Sequence, residues 1–141
     1  MLESVRPLTA DDIPVVEQLE AEARAALEPV RGGAARLAEL PPADWADAVG
    51  RAWVATIDDV VLGYLEAVFH GATAQVRQVY VHPEAREVGL GDELLATAMA
   101  AARAAGCTAL EGTALPGDRE TKNLYERAGV EARLIVVSKK L

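Results

Sequence analysis

Two glycines, Gly89 and Gly91, stand where an extended segment gives way to a segment of helical composition. The preceding run, VRQVYV, is rich in β-branched residues, and the following run, DELLATAMAAARAAG, is rich in Leu and Ala. The first N–H groups of a helix have no partner within it, and glycines let a ligand approach them closely. The junction therefore indicates an anion site. A tight turn without a ligand is the alternative, since Gly-x-Gly is common in loops.

Two familiar phosphate-binding loops do not fit this junction. The dinucleotide fingerprint requires a third glycine three residues after the second, where this chain has Leu94. The nucleoside-triphosphate loop ends in Gly-Lys-Ser/Thr, and neither the lysine nor the hydroxyl follows Gly91. The sequence therefore gives no support to either kind of nucleotide site.

Composition limits the partners of this site. The chain has 141 residues and a formal net charge of −8, which argues against nucleic acid and favours a cationic partner. A single cysteine, Cys107, cannot form an internal disulfide, and no metal-ligand pattern of Cys and His is present. The N-terminus does not resemble a targeting signal, and no apolar run reaches the length of a membrane span. These features predict a cytoplasmic, metal-free protein whose residues 1–141 form one domain.

The elements that position the junction follow from periodicity and turn residues. Thr9 is a suitable cap for the first helix, Asp58-Asp59 separates two strands of a hairpin, and Gly106 is a suitable helix stop. The predicted order is a strand at 3–9, a helix at 11–28, one or two short helices within 34–50, three strands within 51–81, a helix ending near 106, a strand at 108–115, a helix at 118–129 and a strand at 132–141. This order predicts an α+β (mixed α/β) fold.

The junction resembles the acyl-CoA loop of the GNAT superfamily of N-acyltransferases. That motif runs Arg/Gln-x-x-Gly-x-Gly/Ala after a strand ending in Val-x-Pro. Here the strand ends in Val81-His82-Pro83, and the loop reads Arg86-Glu87-Val88-Gly89-Leu90-Gly91. The segment NLYERAGV at 123–130 and the order of elements from about Val5 onward are also similar to that family. The resemblance implies a central, mostly antiparallel sheet flanked by about four helices, with two strands splayed apart at the acyl-CoA site.

The resemblance also implies how acetyl-CoA, the acyl donor, would be held. The splayed strand at Val79–Val81 would pair with the pantetheine arm, and a backbone N–H there would stabilise the oxyanion. Amides of the loop, together with Arg86, would surround the pyrophosphate. The residues implied to contact the coenzyme are Val79, Tyr80, Val81, Arg86, Glu87, Val88, Gly89, Leu90, Gly91, Asp92, Asn123 and Tyr125.

Acidic residues depart from the family's pattern. Glu87, Asp92 and Glu93 stand at or near positions where family members often carry glycine or a basic residue. Carboxylates near a pyrophosphate repel it, so either these side chains point away or coenzyme binding is weak. Asp118 occupies the position, seven residues before the tyrosine, where the family often has an asparagine.

Three residues are candidates for proton transfer. The resemblance places Tyr125 beside the coenzyme sulfur, where a phenol could protonate the leaving thiolate; packing of its helix on the sheet is the alternative. An attacking ammonium must lose a proton. Glu66 and Glu111 lie within otherwise apolar strands and could relay that proton through water, although outward-facing carboxylates are at least as consistent with the pattern.

Three functions are consistent with these residues. The first is an N-acetyltransferase that moves an acetyl group from acetyl-CoA to a primary amine of a small molecule or protein by direct attack. The second is a catalytically weak CoA-binding module, suggested by the acidic residues around the loop. The third is a non-enzymatic interaction domain that uses the sheet edge. A homodimer through the sheet edge or the last strand is a further expectation.

Overall fold

A five-stranded mixed sheet forms the centre of the computed structural model, which describes residues 1–141. The strands lie side by side in chain order: β1 (Glu3–Pro7), β2 (Ala52–Ile57), β3 (Val60–His70), β4 (Thr73–Val81) and β5 (Ala109–Glu111). Pairs from β1 to β4 are antiparallel, and β5 is parallel to β4. The predicted mixed, mostly antiparallel sheet is therefore confirmed.

Helices cover both faces of the sheet. They are α1 (Ile13–Leu27), α2 (Gly33–Glu39), α3 (Trp45–Ala48), α4 (Leu90–Ala104) and α5 (Arg119–Arg127), with short 3₁₀ turns at Ala10–Asp12 and Pro83–Val88. One apolar cluster packs α4 and α5 against the sheet, and a second packs α1 and α3 against the opposite face. None of these helices combines the length and apolar character needed to cross a bilayer.

The turn between β2 and β3 confirms the predicted hairpin. Asp58 and Asp59 both adopt positive φ angles, 49° and 68°. Two successive left-handed residues make the tight turn whose twist matches that of paired strands. Aspartate tolerates this conformation better than most residues, so Asp58 and Asp59 form the turn although the favoured Asn-Gly sequence is absent.

The predicted last strand is wrong for the isolated chain. Residues 131–141 form no helix or strand and are exposed throughout. The neighbouring strand, expected over residues 108–115, is only Ala109–Glu111. An edge of three residues offers few hydrogen bonds, so a strand-forming composition at 132–141 is not sufficient to form a strand there.

An ion pair between the half-exposed Arg6 and the buried Asp12 connects the end of β1 to the start of the first helical segment. Two nitrogens of the Arg6 guanidinium donate to the two carboxylate oxygens of Asp12, each at 2.8 Å. The N–H and hydroxyl of Thr9 donate to the same carboxylate, in keeping with the predicted cap at that residue. The hydrogen bonds from Arg6 are the main reason that the pKa of Asp12 is lowered to about 2.

We expect Asp12→Asn to lower the free energy of unfolding at pH 7 by about 2 kcal/mol. The pKa of Asp12 is lower in the folded chain than in the unfolded chain, so its stabilisation is complete above about pH 4 and is lost as the pH falls towards 2. Urea denaturation at pH 7 and pH 2.5 should therefore show a smaller difference between variant and wild type at the lower pH. Asp11→Asn, an exposed neighbour, is the control; an equal loss at both pH values would contradict the assignment.

Candidate active site

The sheet opens into a gap between β4 and β5. These strands pair only between Thr73–Gln75 and Ala109–Glu111. From Val76 to Val81 the edge of β4 that faces away from β3 has no strand beside it. The predicted splay is therefore present, and it leaves backbone groups of β4 free to pair with an extended ligand.

The start of α4 presents bare backbone beside this gap. None of the N–H groups of Gly89, Leu90, Gly91 and Asp92 has a hydrogen-bond acceptor within the chain. Gly89 adopts a left-handed conformation with φ of 80°, and the space around its Cα is open. The Leu90 side chain is fully buried and anchors the turn, so only main-chain atoms of Leu90 face outwards. Four free donors at a positive helix end suit an anion.

Arg127 neutralises the charge of Asp92, the acidic residue that directly follows Gly91. The Arg127 Nε donates to the Asp92 carboxylate at 2.9 Å, which draws that carboxylate towards α5. The two residues line a cavity of about 420 Å³ between α4 and α5, together with Ala96, Met99 and Ala128. The charge of Asp92 is therefore paired. Glu87 and Glu93 are exposed on the surface.

Arg86 lies across the end of β4. Its Nε donates to the Val81 carbonyl at 3.0 Å, and its guanidinium carbon is 5.7 Å from the centre of the Tyr80 ring. No hydrogen bond within the chain uses its two Nη atoms. This arrangement holds a positive charge at the end of β4, and the two Nη atoms remain available to an anion.

Tyr125 stands at the end of β5, where the gap begins. Its ring is buried, and its hydroxyl lies directly against Gly112, the residue after β5. The hydroxyl makes no hydrogen bond within the chain and is not sealed from solvent. Burial, with a smaller effect from Asp118, raises the pKa of Tyr125 to about 12. The phenol therefore stays protonated at neutral pH and has a free donor.

Glu66 is fully buried and already saturated with donors. It accepts from Arg51 at 2.9 Å, from Arg77 at 3.1 Å and from Gln78 at 3.2 Å. The register between β3 and β4 shifts at Glu66, which leaves Arg77 as one extra residue in β4. Because of this bulge, Arg77 and Gln78 both reach the same carboxylate. These contacts favour a structural role for Glu66 over that of a proton acceptor.

Sequence reasoning missed the polar cluster around Glu66. Gln78 also donates to Glu20 of α1 at 2.7 Å and accepts from the Tyr64 hydroxyl at 3.1 Å. Glu20 is itself buried and accepts from the indole of Trp45. A buried acid in an apolar strand requires cationic partners, and this requirement would have drawn attention to Arg51 and Arg77.

Four further polar residues that the sequence analysis discussed lie on or near β5 and α5. Glu111, the last residue of β5, is about half exposed and accepts from Arg133 at 3.2 Å. Asn123 is exposed on α5 without a hydrogen-bond partner. Asp118 accepts from the N–H of Thr121 and caps α5, which accounts for an acid at that position. Cys107 lies at the opposite end of β5 from the gap.

Comparisons with known proteins agree with this geometry. The model of the acetyltransferase (GNAT) family matches residues 16–130. The aminoglycoside N-acetyltransferase AAC(6')-Iy, solved with CoA, has a similar structure: the TM-score is 0.70 at 18% identity, over 99% of this chain and 96% of that chain. The putative acetyltransferase yncA from Salmonella typhimurium, solved with acetyl-CoA, gives 0.71 at 22% identity, over 92% and 79%.

An aminoglycoside acetyltransferase from an uncultured soil metagenomic sample is similar as well, with a TM-score of 0.69 at 15% identity, over 99% of this chain and 96% of that chain. No curated protein matches the sequence significantly. At these identities the solved structures establish the fold, and the family match carries the activity.

A splayed sheet beside a glycine loop with free helix-start amides defines the class as an acyl-CoA-dependent N-acetyltransferase, with acetyl-CoA as the acyl donor. The family model matches residues 16–130, which is well over half of the chain, and this match identifies the family. The chain belongs to the acetyltransferase (GNAT) family.

We expect Gly112→Ala to lower the free energy of unfolding by about 1–3 kcal/mol, because a methyl group there would collide with the Tyr125 hydroxyl. The cost should be smaller in a Tyr125→Ala background, which removes the ring carbons that the methyl group would meet along with the hydroxyl. Gly91→Ala, whose added methyl makes only an ordinary contact with Leu124, is the control for replacing glycine. Equal costs of Gly112→Ala in both backgrounds, measured by urea denaturation, would show that the two residues do not touch.

Proposed function

We propose that the chain transfers the acetyl group of acetyl-CoA to the primary amine of a small, positively charged molecule by direct attack. The observation that carries this proposal is the juxtaposition, around one gap, of an unpaired β4 edge, four free amides at the start of α4 and the free hydroxyl of Tyr125. We further propose that residues 1–141 act as one domain in the cytoplasm.

Each part of the donor has a matching group on the chain. The pyrophosphate would meet the amides of Gly89 to Asp92 and the free Nη atoms of Arg86. The pantetheine arm would pair with the β4 edge at Val79–Val81, as an added strand does. The thioester would then lie deep in the gap. We also assign Asn123, which is exposed on α5, to a contact with the pantetheine or phosphate portion.

Chemistry at the thioester needs one stabilised oxygen and one good leaving group. The amine nitrogen attacks the carbonyl carbon, and an N–H of the β4 edge stabilises the negative oxygen that results. When the C–S bond breaks, its electron pair leaves with the sulfur, Tyr125 donates a hydrogen bond from its hydroxyl to the thiolate, and the nitrogen releases its surplus proton to water. A phenol with a pKa of about 12 is a weaker acid than a thiol, so Tyr125 acts mainly by stabilising the thiolate through this hydrogen bond.

The acceptor must lose a proton before it attacks, and Glu111 is the carboxylate we assign to the relay. It stands at the end of β5, one residue before Gly112, and its side chain reaches water. Glu66, the other carboxylate expected from the sequence, is occupied by three donors. Cys107 lies away from the gap, in keeping with direct transfer rather than an acyl-enzyme.

Two observations support a small cationic acceptor. The chain has a formal net charge of −8, which attracts cations. Two of the structurally similar proteins are named aminoglycoside acetyltransferases. Polyamino sugars and polyamines are therefore the first acceptors to test.

Thiol release from acetyl-CoA over a panel of amines tests the function. We expect turnover with an aminoglycoside or a polyamine to exceed turnover with a lysine-containing peptide, and no turnover with the N-acetylated forms of the same compounds. Turnover with the peptide alone would indicate a protein acceptor. Binding of acetyl-CoA without thiol release from any amine would indicate a catalytically weak module, and absence of binding would indicate an interaction domain.

Gly89→Glu is expected to abolish the stabilisation by acetyl-CoA, because it places a carboxylate beside the free amides. The wild type should gain about 2.7 kcal/mol when acetyl-CoA is present at 100 times its dissociation constant. Gly106→Glu is a matched control, since Gly106 also has a positive φ and open space but lies at the other end of α4. Thermal denaturation measures both; loss of stabilisation in the Gly106 variant, or retention in the Gly89 variant, would place the ligand elsewhere.

Tyr125→Phe is expected to lower kcat about 10- to 100-fold, the effect of losing one hydrogen bond to a charged leaving group. The dissociation constant of acetyl-CoA should change little, because the hydroxyl acts after binding. The raised pKa of Tyr125 also predicts that its ionisation causes no loss of activity below about pH 10. An unchanged kcat in a folded variant would remove Tyr125 from the reaction.

A further inference from the structure

Asp92 stands at a position from which its carboxylate can reach the free amides of the glycine junction. It is the third residue of α4, counted from the N-cap at Gly89. A carboxylate at this position can reach back and accept from the backbone N–H of the N-cap residue, as the acid of a capping box does. The positive end of the helix attracts the carboxylate in the same direction. The N–H of Gly89 has no acceptor and the space around this residue is open, so nothing in the chain blocks the contact.

Asp92 nevertheless makes no such contact. Its carboxylate accepts from the Arg127 Nε at 2.9 Å, and no side chain caps the start of α4. Arg127 lies in the last turn of α5, whose negative end favours a cation there. The Arg127 and Asp92 side chains are 55% and 47% exposed, and they border the cavity of about 420 Å³ between the two helices. Asp92 therefore has room for two arrangements, one paired with Arg127 and one turned back over the free amides.

We propose that Arg127 is a positioning residue that keeps the start of α4 open, and that Asp92 is an internal competitor of the donor's pyrophosphate. With Arg127 in place, the carboxylate is drawn towards α5, and the amides of Gly89 to Asp92 stay free for an anion. Without Arg127, Asp92 would turn back, accept from the Gly89 N–H and put a negative charge where the pyrophosphate binds. This role rests on the proposed function, whereas the position of the Asp92 carboxylate can be measured without a ligand.

Amide exchange of the ligand-free chain, resolved by NMR, is the first test. Arg127→Gln should slow exchange at Gly89 about two- to fivefold, the factor that corresponds to a typical interaction of a carboxylate with a helix start. Adding Asp92→Asn should return the Gly89 amide to its original rate. Arg103→Gln, which removes an exposed arginine at the other end of α4, is the matched control and should leave Gly89 unchanged. An unchanged rate at Gly89 in the Arg127→Gln variant would overturn the proposal.

Calorimetric titration with acetyl-CoA tests the consequence for binding. In the chain that retains Asp92, Arg127→Gln should raise the dissociation constant about 3- to 10-fold, whereas in an Asp92→Asn background the same change should have little effect. A direct contact of Arg127 with the donor, or a general structural role, would cost the same affinity in both backgrounds and would overturn the proposal.

The same titration separates this role from the proposed function. If the wild type binds acetyl-CoA and the cost of Arg127→Gln is equal in both backgrounds, the proposed function stands and the positioning role fails. If the wild type binds no acetyl-CoA, the proposed function itself fails, and the role of Arg127 in donor binding fails with it. Arg103→Gln changes the net charge by the same amount as Arg127→Gln and should leave the dissociation constant nearly unchanged.

Discussion

The buried carboxylate of Glu66 is the constraint on which the shape of the site depends. A fully buried charge requires partners, and here they are Arg51, Arg77 and Gln78. Arg77 reaches Glu66 because it is an extra residue in β4, and an extra residue increases the local twist of its strand. The pairing of β4 with β5 ends two residues before this bulge. Charge compensation and the opening of the sheet are thus features of the same short segment.

The proposed function requires an acidic chain to hold a polyanionic donor mainly by backbone groups. In the proposed function, the attraction would come from the free amides and the helix dipole at the start of α4, and Arg86 would add a charge held against the end of β4. Asp92, which would otherwise oppose a pyrophosphate, is paired with Arg127. The remaining negative charge of the chain would then attract the cationic acceptor that we propose. The free amides and Arg86 would thus attract the donor, and the acidic side chains would attract the acceptor.

The order of the elements, the hairpin and the glycine junction were predictable because each depends on local sequence. Asp58-Asp59 and the Gly89 turn carry their conformational preference in their own residue types. The contacts of Glu66 were not predictable, because they depend on a one-residue shift in register between two strands. The strand expected at 132–141 is absent for a similar reason, since a strand requires a partner edge and local sequence does not show that β5 is only three residues long.

Backbone amide exchange, followed residue by residue by NMR as acetyl-CoA is added, tests the central claim most directly. If main-chain groups bind the donor, amide exchange should slow at the outward-facing amides of Val79–Val81. It should also slow at the amides of Gly89, Leu90, Gly91 and Asp92, which have no acceptor in the chain. Protection elsewhere, with these amides exchanging at their original rates in the saturated complex, would contradict the account.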